Sequence, residues 1–344
     1  MKNLFLKTLI GSLLIAGASY AEEFTPNGSL GFTQTFYGNA GKYKTESSHP
    51  SVDLSYNFAK DWNLGVKWDR VWNMYDYDSS AENQQNNNYS SPQATLTYNH
   101  GMIENSKIKW TSSLTVQNQA FFTGTNNTYL FAQTAFDFSE YIPKGQYVQA
   151  TQVAISPMYI YGWSTKGPSG HVNTGILSLL TNWQLPADFT FTFNAYAFRE
   201  WYNGSFELEN QTTGTNYDSA NYFMLLAWLG YSKELYKFND QTSLTFNFTG
   251  GFDPYISSNR SAAWDPFIVG NQMYEWLGPA VDSGNNKNTY ALFALPQLEV
   301  TYNYTDDLSF SVFAQVKYSN QVWGNTEKDW KLQPQGGVSV TYDF

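Results

Sequence analysis

Side-chain alternation with a period of two runs through almost the whole chain, and it restricts the fold more than any other feature. In the final stretch, Val338, Val340, Tyr342 and Phe344 share one parity, while Gly337, Ser339, Thr341 and Asp343 share the other. Successive strand side chains point to opposite faces, so this segment is a strand with one apolar and one polar face. Leu30, Phe32 and Phe36 alternate in the same way with Ser29, Gly31, Thr33 and Thr35. The pattern returns over 51–58, 62–69, 94–98, 108–116, 130–138, 189–197, 223–231, 244–248, 298–302 and 308–318. Two stretches fit less well: 147–161 contains Pro157, and 175–183 is apolar on both parities. Pro296 interrupts a further approach to a strand, and proline fits poorly in a sheet without edges.

The first 21 residues have a different character. Lys2 and Lys7 precede a short apolar core, Leu9 to Ala18, and a Ser19-Tyr20-Ala21 small-x-small site. This is the pattern of a cleavable secretory signal, and its core is far shorter than the roughly 20 residues a spanning helix needs. Cleavage after Ala21 would leave 344 − 21 = 323 residues, 22–344, as one domain, and the loss of two lysines moves the formal charge from −10 to about −12. An acidic exported chain argues against nucleic-acid partners. With no cysteine, neither a disulfide framework nor a lipid-anchored amino terminus is available. Only 14% of residues are charged, against about 25% in typical soluble domains, while aromatics reach 18%.

A soluble two-sheet sandwich and a membrane barrel share the same parity pattern. The strand number, the export signal, the terminal strand and the aromatics at strand ends (Tyr56, Trp62, Trp183, Tyr302, Tyr304, Tyr342, Phe344) favour the barrel. Short connections, such as 59–61, 140–145, 184–188 and 305–307, alternate with longer ones at 38–50, 77–92, 120–128, 162–173, 202–219, 250–288 and 319–333. The expected fold is therefore all-β: a transmembrane up-and-down antiparallel β-barrel of about 14 strands, 12–16 within boundary error, with both termini on the short-turn side. Closure would set 334–344 against 29–37 and leave no free edge.

Two resemblances add to this reading. The ending, with Val340, Tyr342 and Phe344 on one face, resembles the assembly signal of Gram-negative outer-membrane proteins. The segment Thr25-Pro26-Asn27-Gly28-Ser29-Leu30-Gly31-Phe32-Thr33-Gln34-Thr35-Phe36-Tyr37-Gly38 resembles the opening of the FomA-type major outer-membrane porins of fusobacteria. The resemblance covers about fourteen residues, and the Pro/Val-rich or charged segment between signal and first strand is absent here. It implies a pore-forming barrel for small hydrophilic solutes.

Little in the chain suggests catalysis. Of three histidines, His49 and His171 fall in expected loops and His100 at an expected turn; no HExxH, Gly-x-Ser-x-Gly or His-x-Ser-Asn-Gly pattern occurs. A rim site pairing His49 or His171 with Asp76, Asp78 or Glu82 is the strongest enzymatic alternative, but loops rich in Asp and Asn need no catalytic explanation. No metal-ligand spacing and no cofactor are expected. Lys67, Asp69, Lys109, Asp137, Glu299 and Lys317 lie on the polar parity and are expected to line the interior, since lipid would penalise them. About 14 strands enclose a lumen too wide for such side chains to fill. The longest loop, 250–288, carries Asp253, Arg260, Asp265 and Glu275 among bulky apolar residues and is the candidate constriction. Tyr129, Phe131, Tyr222 and Trp228 also face inward but are expected on opposite sides, forming no track. The functional expectation is a porin in the bacterial outer membrane, passing small hydrophilic solutes and ions. A sugar- or nucleoside-selective channel and a non-conducting structural or adhesive barrel are the alternatives. Expected partners are outer-membrane lipids and the barrel-assembly machinery, with a homotrimer by analogy to general porins.

Overall fold

The computed structural model describes residues 24–38, 47–73, 88–121, 124–210, 213–261, 287–320 and 330–344. The segment 1–21, read as a signal, lies outside them. Fourteen antiparallel strands close into a barrel, each paired with its neighbours in the chain and the last with the first. They are β1 (Asn27–Tyr37), β2 (Ser47–Ala59), β3 (Trp62–Asn73), β4 (Tyr89–Met102), β5 (Lys109–Phe121), β6 (Asn126–Asp137), β7 (Gln149–Lys166), β8 (Gly170–Gln184) and β9 (Phe189–Gly204), then β12 (Ser219–Lys237), β13 (Thr242–Ser258), β14 (Asn288–Asn303), β15 (Leu308–Ser319) and β16 (Lys331–Asp343). Between β9 and β12 lies a small hairpin, β10 (Leu208–Asn210) and β11 (Thr215–Tyr217), outside the barrel ladder. One end of the barrel carries both termini and mostly short turns, with 138–148 the longest of them; the other carries the longest connections together with the short 122–125 and 167–169.

The period of two sorts side chains as expected. On β1, Leu30, Phe32 and Phe36 are exposed outward, as are Leu177 and Leu179 on β8 and Phe310, Val312 and Val316 on β15. At the terminal end the outward aromatics form a girdle. Ring centroids follow one another from Tyr342 to Phe344 (6.0 Å), Tyr56 (6.0 Å), Phe58 (6.3 Å), Trp62 (6.3 Å), Tyr98 (4.5 Å), His100 (4.6 Å), Trp110 (3.6 Å) and Phe136 (5.9 Å). An apolar band with aromatic rings at its boundary is what a membrane interface requires.

The prolines are accommodated inside strands. Pro157 pairs with Leu177 of β8, while the β6–β7 register passes from Phe136↔Ile155 to Gln133↔Met158 without it. Pro296 pairs with Phe248 of β13 and is bypassed on the β15 side; Pro50 and Pro92 behave likewise toward β3 and β5. Proline has no N–H to donate, so the ladder is interrupted only on the side that donor would have faced. Beside Pro157, the Ser156 hydroxyl donates to the Thr134 carbonyl at 2.8 Å and partly fills the gap.

The wall is not of even height. β7, β8, β9, β12, β13 and β14 have 15–19 residues, whereas the other barrel strands have 11–14. A strand needs only about 10 residues to cross the hydrocarbon, so the taller side continues past it. The expected loops 162–173, 202–219 and 250–288 accordingly shrink to the shorter connections 167–169, 205–218 and 259–287.

Candidate functional site

The inner wall divides into two levels. Toward the terminal end, inward residues reach solvent: Asp53, Ser55, Lys67, Asn99 and Ser232 are all exposed. Toward the loop end, inward residues are buried all round, among them Ser47 (β2), Val71 (β3), Tyr129 (β6), Val172 (β8), Tyr222 (β12) and Gln333 (β16). On the taller side this burial is an apolar core inside the barrel. Tyr129, Phe131, Ile160, Val172, Ile176, Tyr196, Phe198, Tyr202, Ala220, Tyr222, Met224, Leu226 and Ile256 form one cluster, with Trp228 packed against it. Tyr129, Phe131, Tyr222 and Trp228 therefore belong to a common cluster, contrary to the expectation that they stand apart.

Phe206 and Leu208, from the connection 205–218, join the same cluster, so this connection folds over the inner wall. It is fastened by Arg260, whose Nε donates to the Ser219 carbonyl (3.1 Å) and whose guanidinium lies 4.7 Å from the centre of the Tyr217 ring. The Asn210 amide donates to the Ser261 carbonyl at 2.5 Å. Within the apolar core sits a polar group: Tyr202 bonds the Glu200 carboxylate and the Tyr222 hydroxyl, each at 2.5 Å, with Glu200 fully buried. The sequence signal for this core was the apolar character of β8 on both parities.

The sequence-selected residues fall in different settings. Lys67 and Asp69 pair at 3.6 Å, and Asp53 stands directly opposite Lys67 on β2. Lys109 pairs at 3.0 Å with Glu140 in the β6–β7 turn. Asp137 accepts from the Ser139 and Val153 backbone amides at 2.9 and 3.0 Å, which organises that turn. Glu299 accepts from the Asn247 amide at 3.2 Å. Lys317 is only 2% exposed, with its ammonium 5.5 Å from the Phe293 ring centre. Asp253 is buried and Arg260 holds the hairpin as described; Asp265 and Glu275 lie outside the described residues. Val340 and Tyr342 stand opposite Phe32 and Leu30 in the closing ladder, and Phe344 extends it by one pair.

The polar inner wall contains a further arrangement that spacing alone did not reveal. Ser232 donates to Asn247 (2.7 Å), Asn247 to Gln297 (2.8 Å), Gln297 to Gln315 (2.9 Å), Gln315 to Gln335 (2.6 Å) and Gln335 to Gln333 (3.3 Å), whose amide donates to the Gly38 carbonyl (3.2 Å). This relay crosses five strands in one direction.

The histidines are dispersed. His49 faces inward on β2, 3.0 Å from the Ser47 hydroxyl; His100 stacks on Trp110 outside; His171 opens β8 near Tyr161. Asp76, Asp78 and Glu82 lie outside the described residues. Among the described residues no cluster of three or more metal-ligating side chains occurs.

No protein-family model and no curated protein matches the chain. Among solved structures it is similar to a TodX monoaromatic hydrocarbon channel deltaS2 mutant, at 11% identity over 96% of this chain and 93% of the other, with a TM-score of 0.41. It is also similar to the outer membrane channel DcaP of Acinetobacter baumannii, at 10% identity over 93% and 96%, TM-score 0.35. A third likeness is to the translocator domain of the autotransporter NalP from Neisseria meningitidis, at 10% identity over 100% and 98%, TM-score 0.35.

Proposed function

We propose that this chain forms a water-filled channel in the bacterial outer membrane for passive diffusion of small hydrophilic solutes and ions. The observation that carries the reading is the contrast across one wall: exposed apolar residues outside, and exposed Asp53, Ser55, Lys67 and Ser232 inside a closed barrel of 14 strands. Polar interiors of this width are stable when wet. Residues 1–21 act as the export signal, and the opening at Thr25 to Gly38 supports kinship with the FomA-type porins. Lys67, Asp69 and Glu299 line the path, Lys109 with Glu140 marks its rim, and the packed loop-end half is its narrow part. Burial of Lys317 and the backbone bonds of Asp137 support a structural part for those two.

The test is single-channel recording of the purified mature protein in planar bilayers. Discrete ohmic steps are expected; a folded barrel that gives no steps would leave only the non-conducting alternative. A channel selective for one solute class is the second reading, and the apolar core beside the amide relay is what favours it.

A further inference from the structure

Three inward rows cross β13–β16 at successive levels. The upper is the amide row Asn247, Gln297, Gln315 and Gln335. The middle row pairs Thr245 with Glu299, Glu299 with Phe313, and Phe313 with Gly337. The lower row is Ser243, Thr301, Ser311 and Ser339, with the last two hydroxyls 2.7 Å apart. Phe313 is thus an aromatic ring on the polar side of the wall. It occupies the space over Gly337 that a side chain would fill: a Cβ added there would stand 2.5 and 2.7 Å from two of its ring carbons. Its ring is half-buried, with Glu299 beside it, amides on one side and hydroxyls on the other.

We infer that this patch is a subsite for neutral, hydroxyl-rich solutes of sugar size. A pyranose presents an apolar C–H face and a rim of hydroxyls that both donate and accept. A flat aromatic ring suits the first, and planar amide and carboxylate groups suit the second. Rows two residues apart along a strand are separated by about 7 Å, and neighbouring strands by about 4.8 Å, so one ring can touch all three rows. The relay fixes the amides in advance. Gln297 and Gln315 each use one N–H and one oxygen lone pair in it, which leaves a second donor and a second acceptor for a ligand. Among the described residues no cation pairs with Glu299, so the patch offers anionic sugars nothing and neutral ones a fitting rim.

The inference rests on the channel reading for solute access, but its test does not depend on conduction. Saturation-transfer NMR of maltotriose is recorded with the folded mature barrel in detergent. Transfer to the sugar C–H protons is expected, reduced at least fivefold in Phe313→Ala and in Gln315→Ala, and retained in Phe310→Ala, which changes the outer face of the same strand. Folding is checked by heat-modifiable gel mobility. If Phe313→Ala does not fold, Phe313→Leu keeps the bulk and removes the aromatic face. No transfer in the parent protein, or undiminished transfer in the Phe313 and Gln315 variants, overturns the subsite. Conductance of the same preparations separates the two ideas: transfer without conductance supports the subsite and removes the channel, whereas conductance without transfer does the reverse.

Discussion

Gly28 and Phe344 exchange both backbone hydrogen bonds: the Gly28 amide donates to the Phe344 carbonyl at 2.8 Å, and the Phe344 amide to the Gly28 carbonyl at 2.9 Å. This pair extends the β1–β16 seam by one rung beyond Ser29 and Asp343. A side chain at position 28 would meet the Phe344 ring at 3.0 Å and clash with the Ser55 carbonyl, so the seam needs glycine there.

Removing the last ring should reduce the amount of assembled barrel. Phe344 lies 6.0 Å from both Tyr342, on which it stacks, and Tyr56, to which it is tilted, joining β16 to the girdle on β2, and each such contact contributes about 1 kcal/mol. Phe344→Ala should lower the heat-modifiable fraction in outer-membrane extracts, while molecules that assemble conduct normally. An unchanged folded level would show that the seam bonds suffice.

The strand assignment has a direct chemical test on β2. Cysteines replacing Asp53 and Ser55 should react quickly with a water-soluble thiol reagent, because both positions are exposed inward. Cysteines replacing Leu54 and Tyr56 should be slow in lipid, being on the outward parity. A cysteine at Lys317 should also be slow, since that inward position is buried. Equal rates at 53, 54, 55 and 56 would be incompatible with a wall between lipid and water.

How far the sequence discloses this fold follows from the physics of each strand. β2, β3 and β15 were legible because one parity meets lipid and the other water. β7 and β8 were harder because Ile160, Val172 and Ile176 face a dry core, so both parities are apolar and the period of two fades. The prolines looked like breaks, since whether a missing donor matters depends on register, which local spacing does not carry. The same limit applies to the charges. Lys67 and Lys317 look alike on alternating strands, but one reaches solvent and the other is enclosed by groups distant in sequence. The Phe313 patch was invisible because it needs Glu299 and Gly337 as neighbours on either side.

The connection 205–218 should behave as part of the wall rather than as a free loop. Phe206 and Leu208 are 3% and 7% exposed within the inner cluster, and truncating a buried Phe costs about 3–5 kcal/mol of local packing. Phe206→Ala should make this connection a site of rapid limited proteolysis in the folded barrel and increase single-channel conductance. Unchanged cleavage and conductance would show that the cluster holds without it.

Acid should weaken the rim pair. The hydrogen bond and charge of Lys109, with further help from Lys144 and Lys107, hold the Glu140 carboxyl below the usual carboxylate range. A carboxyl depressed in the folded state contributes stability that is present above its unfolded value, about 4.3, and is lost as pH falls through the folded value. The pair is open to solvent, so the contribution is small. Glu140→Gln should lower the urea midpoint slightly at neutral pH and not at all in strong acid. A pH-independent difference would mean that the glutamate acts through packing instead.

The inward charges of the open wall set the ion preference. Asp53, Lys67, Asp69, Glu234 and Glu299 sum to −1 + 1 − 1 − 1 − 1 = −3, and the Lys67–Asp69 pair at 3.6 Å is internally neutral. The groups outside that pair are then Asp53 on β2, Glu234 on β12 and Glu299 on β14; β2 lies next to β1 on one side, and β14 three strands away on the other. At physiological salt, fields fall off over about 8 Å, so each acts on ions passing its own sector. Modest cation selectivity is expected from reversal potentials in a KCl gradient. Asp53→Asn, Glu234→Gln and Glu299→Gln should each reduce it and the three together abolish it, whereas Lys67→Gln should increase it by freeing Asp69. Selectivity untouched by the triple variant would place the discriminating charges in the loop-end half, where Asp253, Glu200 and Lys317 are buried.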